Sequence, residues 1–255
     1  MGFPLPDSPH ACVVSLPTWE AVIGYEESDP AVVGKMRSGY PRFFLHPITA
    51  SYLEGLEGEH AGKGERLMAY SSLAAAQRAA KFVRQRTGLS GRVIDSEVPL
   101  LAVPEGGYQA ARDYWRHTGE LISSRQAEDL QRGVVADCSQ VAGFRCSLAQ
   151  VMGVREQDAF FFESGMAAIF ALYRAVTARR PGLKTLQLCF PYVDALKVQE
   201  HFGAGVDFVN SPRGDALDES LSAIRQGVYA AVFCEVPSNP LLHTVNLPAV
   251  AEACR

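Results

Sequence analysis

Chemistry is first expected in this chain where an apolar run meets a serine and a glycine and turns at once into a helical pattern. Phe161-Phe162-Glu163 leads into Ser164-Gly165-Met166, and Met166, Ile169, Phe170, Tyr173 and Val176 then recur at helical spacing. Ser164 suits an N-cap. Gly165 lets a ligand come close to the backbone. The first N–H groups of a helix lack internal partners, and the helix dipole adds positive potential, so this turn suits an anion such as phosphate. An ordinary strand–turn–helix junction uses the same residues, and both readings stand at this point. Two further loops are candidates to share a pocket with this turn. Phe190-Pro191-Tyr192 offers aromatic faces, and Glu235-Val236-Pro237-Ser238-Asn239-Pro240 offers a carboxylate and a carboxamide. Near the amino end, Tyr40-Pro41-Arg42-Phe43-Phe44-Leu45-His46-Pro47 is the densest stretch, with an aromatic, a cation and a histidine.

The elements that must position these groups read as α/β from residue 158 onward. Strand patterns over 159–162, 185–190, 206–209 and 229–236 alternate with helix patterns from Ser164 to about 179, over 193–202 and over 217–225. Such alternation predicts a mostly parallel sheet with flanking helices and right-handed crossovers. Ligands of open parallel sheets sit at the carboxyl ends of the strands. Ser164-Gly165, Phe190–Tyr192 and residues 235–240 all fall at such ends, which favours one shared pocket. Upstream, residues 50–88 read as helical, with Leu67, Tyr70, Leu73, Ala74, Ala80 and Val83 as a stripe and Gly88 as the stop. Residues 92–94 and 98–103 suit short strands, and 108–115, 121–130 and 147–152 suit helices, with a break at His117-Thr118-Gly119-Glu120. Prolines at 4, 6, 9, 17, 30, 41 and 47 make residues 1–50 an irregular arm. The expected organisation is an arm (1–50), a mixed segment (51–155) and a partial large domain (156–255). Residues 247–255 form a helix pattern with no capping residue, so the sequence reads as the front part of a longer protein.

Composition bounds the function classes. The chain has 255 residues, 47% hydrophobic and 20% charged, which allows a sizeable core. A net charge of −4 gives no reason to expect nucleic acid or an anionic membrane as partner. No window approaches the ~18 uninterrupted apolar residues of a membrane helix. The first ten residues lack the basic and apolar regions of a signal peptide, so the expected location is cytoplasmic. Cys12, Cys138, Cys146, Cys189, Cys234 and Cys254 form no CxxC pair and no metal-ligand spacing. Free, mostly buried thiols are expected, and no metal.

Three motifs together resemble the pyridoxal-phosphate enzymes of cysteine and methionine metabolism, a family that includes cystathionine gamma-synthases, cystathionine lyases and homoserine sulfhydrylases. Glu163-Ser164-Gly165-Met166-Ala167-Ala168 resembles the family's phosphate loop. Glu235-Val236-Pro237-Ser238-Asn239-Pro240-Leu241 resembles its Ser-Asn-Pro stretch, and Tyr40-Pro41-Arg42 its Tyr-x-Arg element. Tyr40–Phe43, His117–Glu120, Ser123-Ser124-Arg125 and Phe190–Asp194 are similar to the fungal-type cystathionine gamma-synthases. The resemblance implies the large domain of the type I pyridoxal-phosphate fold, present in part. It also implies roles. Ser164 and the N–H groups of Gly165 and Met166 would hold the cofactor phosphate. Tyr40 and Arg42 would reach the phosphate in a neighbouring subunit, work that suits a guanidinium's planar fork, the alternative being a surface arginine beside a packed tyrosine. Asn239 would bond the cofactor's phenolic oxygen or the substrate carboxylate, its alternative being a turn residue before Pro240. The family stacks a tyrosine of a Tyr-Gly-Gly-Thr-Tyr stretch on the cofactor ring. That stretch is absent here, and Tyr192, then Phe190, is the positional substitute, with a core or rim role as the alternative. Glu235 reads as a carboxylate satisfied at a strand end. Local structural roles are expected for His46, His117 and His243.

The family's Schiff-base lysine lies in a Ser-x-Thr-Lys stretch downstream of Ser-Asn-Pro. Lys35, Lys63, Lys81, Lys184 and Lys197 all precede that stretch, and none follows such a pattern. The catalytic lysine is therefore expected to be absent, and the chain inactive alone. The resemblance implies O-acylhomoserine and cysteine as substrates, with γ-replacement the leading reaction and γ-elimination or sulfhydrylation open beside it. It implies a homo-oligomer or pairing with a complementary chain. A non-catalytic subunit that completes a lysine-bearing relative's pocket is the second reading.

Overall fold

The computed structural model describes residues 7–12, 16–36, 39, 42–134 and 137–255. Contacts divide the chain into two units, Met1–Glu163 and Ser164–Arg255. In the first, α1 (Trp19–Glu26) and α2 (Pro30–Val33) are short helices started by Thr18 and Asp29, whose side-chain oxygens accept from Ala21 N and Ala31 N. Then come α3 (Pro47–His60), β1 (Glu65–Ala69), α4 (Leu73–Thr87), β2 (Arg92–Ile94), β3 (Leu100–Pro104), α5 (Glu105–Thr118), α6 (Ser124–Gln131) and α7 (Gln140–Met152). The strands form an antiparallel sheet in the order β1-β3-β2. Leu67 and Ala69 lie opposite Ala102 and Leu100 and share a core with Leu53 of α3, with Ile122 and with Ala127 of α6. Met68 lies opposite Leu101, on the other face. The close approach of Gly107 to Val83 and Val103 puts α4 and α5 against that face.

Helices on both faces explain one departure from the sequence reading. Residues 65–69 form a strand, where a helical stripe was expected. A strand covered on both sides is apolar throughout, and Leu67, Met68 and Ala69 are all buried. Such a run carries no period that separates it from a buried helix. Gly62 and Gly64, the latter at φ +76°, are the local signals that end α3 and admit the strand. The break at His117–Glu120 and the stop at Gly88 match the structure, since Gly88 and Gly119 adopt the left-handed conformation after α4 and α5.

The strand expected over 159–162 does not form. These residues pair with no strand among the described residues, and Phe161 instead packs its ring on Phe144 of α7 at 5.1 Å between centroids. The thiols also depart from expectation. All six are free, but only Cys189 is buried, and Cys138, Cys146 and Cys254 are exposed. Cys146 is on α7, a helix whose only buried residue is Ala149.

His46 takes a local structural role. It caps α3, its Nδ1 accepting from Ile48 N at 3.2 Å. Its ring stacks on His10, which bonds Ser124 Oγ at 3.0 Å and Glu128 Oε2 at 3.1 Å. Burial, and then the charge of His10, hold the His46 pKa below its ordinary value of 6.5, with the Pro9 carbonyl pulling the other way. A histidine depressed in the folded state contributes stability above its unfolded pKa, and that stability is lost as pH falls through the folded value. Replacing His46 with Asn, also a good cap, is expected to leave stability near pH 7.5 within about 0.5 kcal/mol and to reduce the loss below about pH 6. Urea melts of both proteins at the two pH values check this.

In the second unit, α8 (Gly165–Arg179), β4 (Thr185–Leu188), α9 (Val193–His201), β5 (Val206–Val209), α10 (Asp215–Arg225), β6 (Val232–Cys234) and α11 (Leu247–Ala253) alternate. The strands are parallel in the order β5-β4-β6, so the chain has the expected α/β class. Leu186, Leu188 and Cys189 share a core with Leu221 and Ile224 of α10 and Val250 and Ala253 of α11. The opposite face of β4 carries a buried polar chain. Thr185 Oγ1 donates to Gln199 Oε1 at 2.9 Å, and Gln199 Nε2 donates to Gln187 Oε1 at 2.8 Å. Gln187 Nε2 in turn donates to the Leu188 carbonyl at 3.0 Å. Among the described residues, no helix is long and apolar enough to cross a membrane.

Candidate functional site

Ser164 is the N-cap of α8. Its backbone is extended (φ −154°, ψ 161°), and its Oγ accepts from Ala167 N at 3.0 Å. Its carbonyl accepts from Ala168 N at 3.1 Å. These two bonds serve the third and fourth N–H groups of the helix. The first two, on Gly165 and Met166, have no helix carbonyl to reach and converge at the end where the dipole is positive. Gly165 is exposed, and a Cβ added there meets nothing within 4 Å. Met166 is buried and anchors the turn.

The direction of α8 sets which edge of the sheet this turn faces. At its far end Arg180 donates to the carbonyls of Gly227 and Tyr229 at 2.7 and 2.9 Å, at the amino end of β6. Half-way along, the Tyr173 ring lies 6.2 Å from that of Phe233, inside β6. Gly203, just past α9, is where a side chain would collide with the Tyr173 hydroxyl. The helix therefore runs back against the strands, and its N-terminus is directed to their carboxyl edge.

The other two loops start from that edge. After β4, Cys189 adopts φ +60° while its N–H donates to the Val209 carbonyl at 3.0 Å. A left-handed residue that is not glycine is uncommon and turns the chain sharply. Phe190 then packs edge-on against Phe208, Pro191 is buried, and Tyr192 begins α9 with its ring partly exposed. After β6, the Glu235 carboxylate accepts the Tyr192 N–H at 2.6 Å. Residues 238–243 close on themselves. Ser238 N donates to the His243 carbonyl at 2.8 Å, Leu242 N to the Ser238 carbonyl at 2.7 Å, and His243 N to Ser238 Oγ at 3.0 Å. Ser238 is buried inside this loop, and Asn239 stands exposed beside it.

Against this geometry, comparison with known proteins gives the following. Over 98% of this chain and 53% of the relative, it is 31% identical to the L-2-amino-4-chloropent-4-enoate dechlorinase/desaturase of Streptantibioticus cattleyicolor. It is 26% identical to the cystathionine gamma-synthase of Neurospora crassa over 99% of this chain and 62% of that one. The cystathionine gamma-synthase of Saccharomyces cerevisiae is 31% identical over 48% of this chain and 22% of its own. These relatives support a cystathionine gamma-synthase-like family of pyridoxal-phosphate enzymes. No protein-family model matches the chain, and no solved structure does. The chain spans about half to three-fifths of the length of the relatives that it matches nearly throughout.

Of the positions singled out in this cystathionine gamma-synthase-like chain, Ser164, Gly165 and Met166 form the first turn of α8, and Tyr192 and Asn239 lie on the loops after β4 and β6, at the edge that turn faces. Arg42 is in the other unit. It is buried, its Nη1 donates to the Arg116 carbonyl at 2.7 Å, and its guanidinium lies over the Phe43 ring. Tyr40 is outside the described residues. The sequence shows a carboxylate at position 235 but gives no sign of its partner, because the Tyr192 amide is 43 positions away.

Proposed function

We propose that Ser164, Gly165 and Met166 hold the phosphate of pyridoxal phosphate, that Tyr192 covers one face of its ring, and that Asn239 bonds its phenolic oxygen or the substrate carboxylate. The activity we assign to the whole protein is γ-replacement on an O-acylhomoserine by cysteine. The observation that carries this reading is the common edge: the N-terminal turn of α8 is directed to the carboxyl edge of the parallel sheet, where the loops after β4 and β6 present an exposed aromatic and an exposed carboxamide. The donor set fits the cofactor. A phosphate needs several converging N–H donors, and the open face at Gly165 leaves room for one. When bound, pyridoxal phosphate withdraws electrons from the substrate's carbon skeleton, so that protons beside the amine and then the γ-substituent can leave. The name of the Streptantibioticus relative puts the lost chlorine on carbon 4 of a 2-amino acid, its γ-carbon, which favours γ-chemistry here too.

The chain's own residues bind and orient in this reading, and none serves as the tether. Lys184 stands at the amino end of β4 and pairs with Asp207 at 2.7 Å. Lys197 pairs with Glu200 on α9 at 2.6 Å. We assign the tethering lysine to sequence outside these 255 residues. Arg42 and Tyr40 are assigned to the phosphate of a neighbouring subunit, a second copy or a lysine-bearing chain. That role requires Arg42 to share or leave the Arg116 carbonyl.

Calorimetric titration of the chain with pyridoxal phosphate, pyridoxal and inorganic phosphate tests the reading. Charge-assisted bonds from the helix turn predict that pyridoxal phosphate binds at least about tenfold tighter than pyridoxal. Equal affinities would overturn it.

A further inference from the structure

We propose that Glu235 is a positioning residue for the cofactor ring, acting through Tyr192. The inference rests on the pyridoxal-phosphate reading above and deepens it. The Glu235 carboxylate accepts the Tyr192 N–H at 2.6 Å, while the Tyr192 carbonyl accepts the Ala195 N–H at 3.0 Å as α9 begins. Tyr192 is thus held on both sides of its Cα, and its ring is the part left partly exposed. It has no neighbour in a ladder to hold it, since β4 ends at Leu188 and the chain has already turned at Cys189. The carboxylate joins this loop to the one after β6. Glu235 is also four residues before Asn239, in the segment that closes through Ser238 and His243. One short stretch therefore presents the carboxamide and fixes the backbone that carries the aromatic. A bond between a carboxylate and an amide is charge-assisted and suits this task better than a neutral contact. The job of Glu235 is to keep the aromatic face and the carboxamide at a fixed separation, so that a flat ring enters without the loops having to reorder.

The test separates ring binding from phosphate binding. The chain and its Glu235→Ala, Glu235→Gln, Tyr192→Leu and Glu235→Ala/Tyr192→Leu variants are titrated with pyridoxal phosphate and with inorganic phosphate. Melting curves confirm that each variant is folded. Glu235→Ala is expected to weaken pyridoxal phosphate about fivefold to tenfold, the scale of one aromatic contact, and to change inorganic phosphate less than twofold. Tyr192→Leu should do the same, and the double variant should be no worse than either single one. Glu235→Gln keeps a carbonyl oxygen for the amide and should recover part of the loss. Equal weakening of both ligands, or an additive double variant, overturns the inference and leaves the cofactor reading intact. A parent chain that binds pyridoxal phosphate no better than inorganic phosphate overturns both. Should Glu235→Ala not fold, Glu235→Gln and Tyr192→Leu decide: a parent-like ligand ratio in both removes the role.

Discussion

Replacing Glu120 with alanine is expected to destabilise the first unit by about 3 kcal/mol, lowering its melting temperature by roughly 6–12 °C. The Glu120 side chain is almost wholly buried and serves three donors. Arg78 Nη2 donates to Oε1 at 2.5 Å and Arg78 Nε to Oε2 at 3.2 Å, and the Tyr114 hydroxyl donates to Oε2 at 2.5 Å. Burial works against the Arg78 charge, but the hydrogen bonds and charge of Glu120 outweigh it and the guanidinium pKa rises. Burial first, and then the Glu120 charge, push the Tyr114 hydroxyl far above its ordinary range, so it stays a proton donor. Removing the carboxylate leaves a guanidinium and a hydroxyl in a space built for their partner. An uncompensated buried charge costs more than the intact pair contributes. Arg78 retains some exposure, which places the expected loss at the low end of the range for buried pairs. Two comparisons check the cause. Glu120→Gln keeps an acceptor for Tyr114 and should lose less. Combining Glu120→Leu with Arg78→Met should recover at least about 1 kcal/mol relative to Glu120→Leu alone, because no charge is then stranded. Thermal melts of the parent, these four variants and Arg78→Met decide, and an additive double variant would show that the pair acts independently.

Glu120 also shows where sequence stops being informative. His117-Thr118-Gly119-Glu120 announces a break, and the structure has one: Gly119 adopts φ +69°, and Thr118 Oγ1 donates to the Tyr114 carbonyl. Nothing local announces that the carboxylate turns inward, because its partner Arg78 is 42 positions away. The Tyr192–Glu235 bond is hidden in the same manner. Local rules worked where the deciding physics is local: Ser164 caps α8, Gly88 ends α4, and the strand–helix alternation of the second unit follows from apolar runs broken by turn residues. They failed at residues 65–69, where burial on both faces erased the period. They failed again at 159–162, where apolar content favoured a strand but these residues pair with none among the described residues. The edge shared by the loops after β4 and β6 was legible because strand direction follows from parallel connection, whereas the strand expected to lead into Ser164 does not form.

Replacing Gly165 with proline is expected to leave the fold intact and to weaken pyridoxal phosphate by about ten- to a hundredfold. Gly165 is the first helical residue of α8, the position where proline is favoured because the helix does not use that N–H. Proline also demands an extended residue before it, and Ser164 is extended already. A side chain there meets open space. Lower entropy of the unfolded chain should offset any strain, so stability should change by no more than about 1 kcal/mol. The substitution removes one N–H from the turn proposed to hold the phosphate and leaves the Ser164–Ala167 cap bond in place. Gly165→Ala keeps that N–H and adds a single methyl, so it separates the loss of a donor from crowding. The donor account requires proline to weaken pyridoxal phosphate and inorganic phosphate alike, to spare pyridoxal, and to be far more harmful than alanine. Parent-like affinity in a folded Gly165→Pro chain would mean that the first N–H of α8 touches no phosphate, and the assignment of this turn would fail with it.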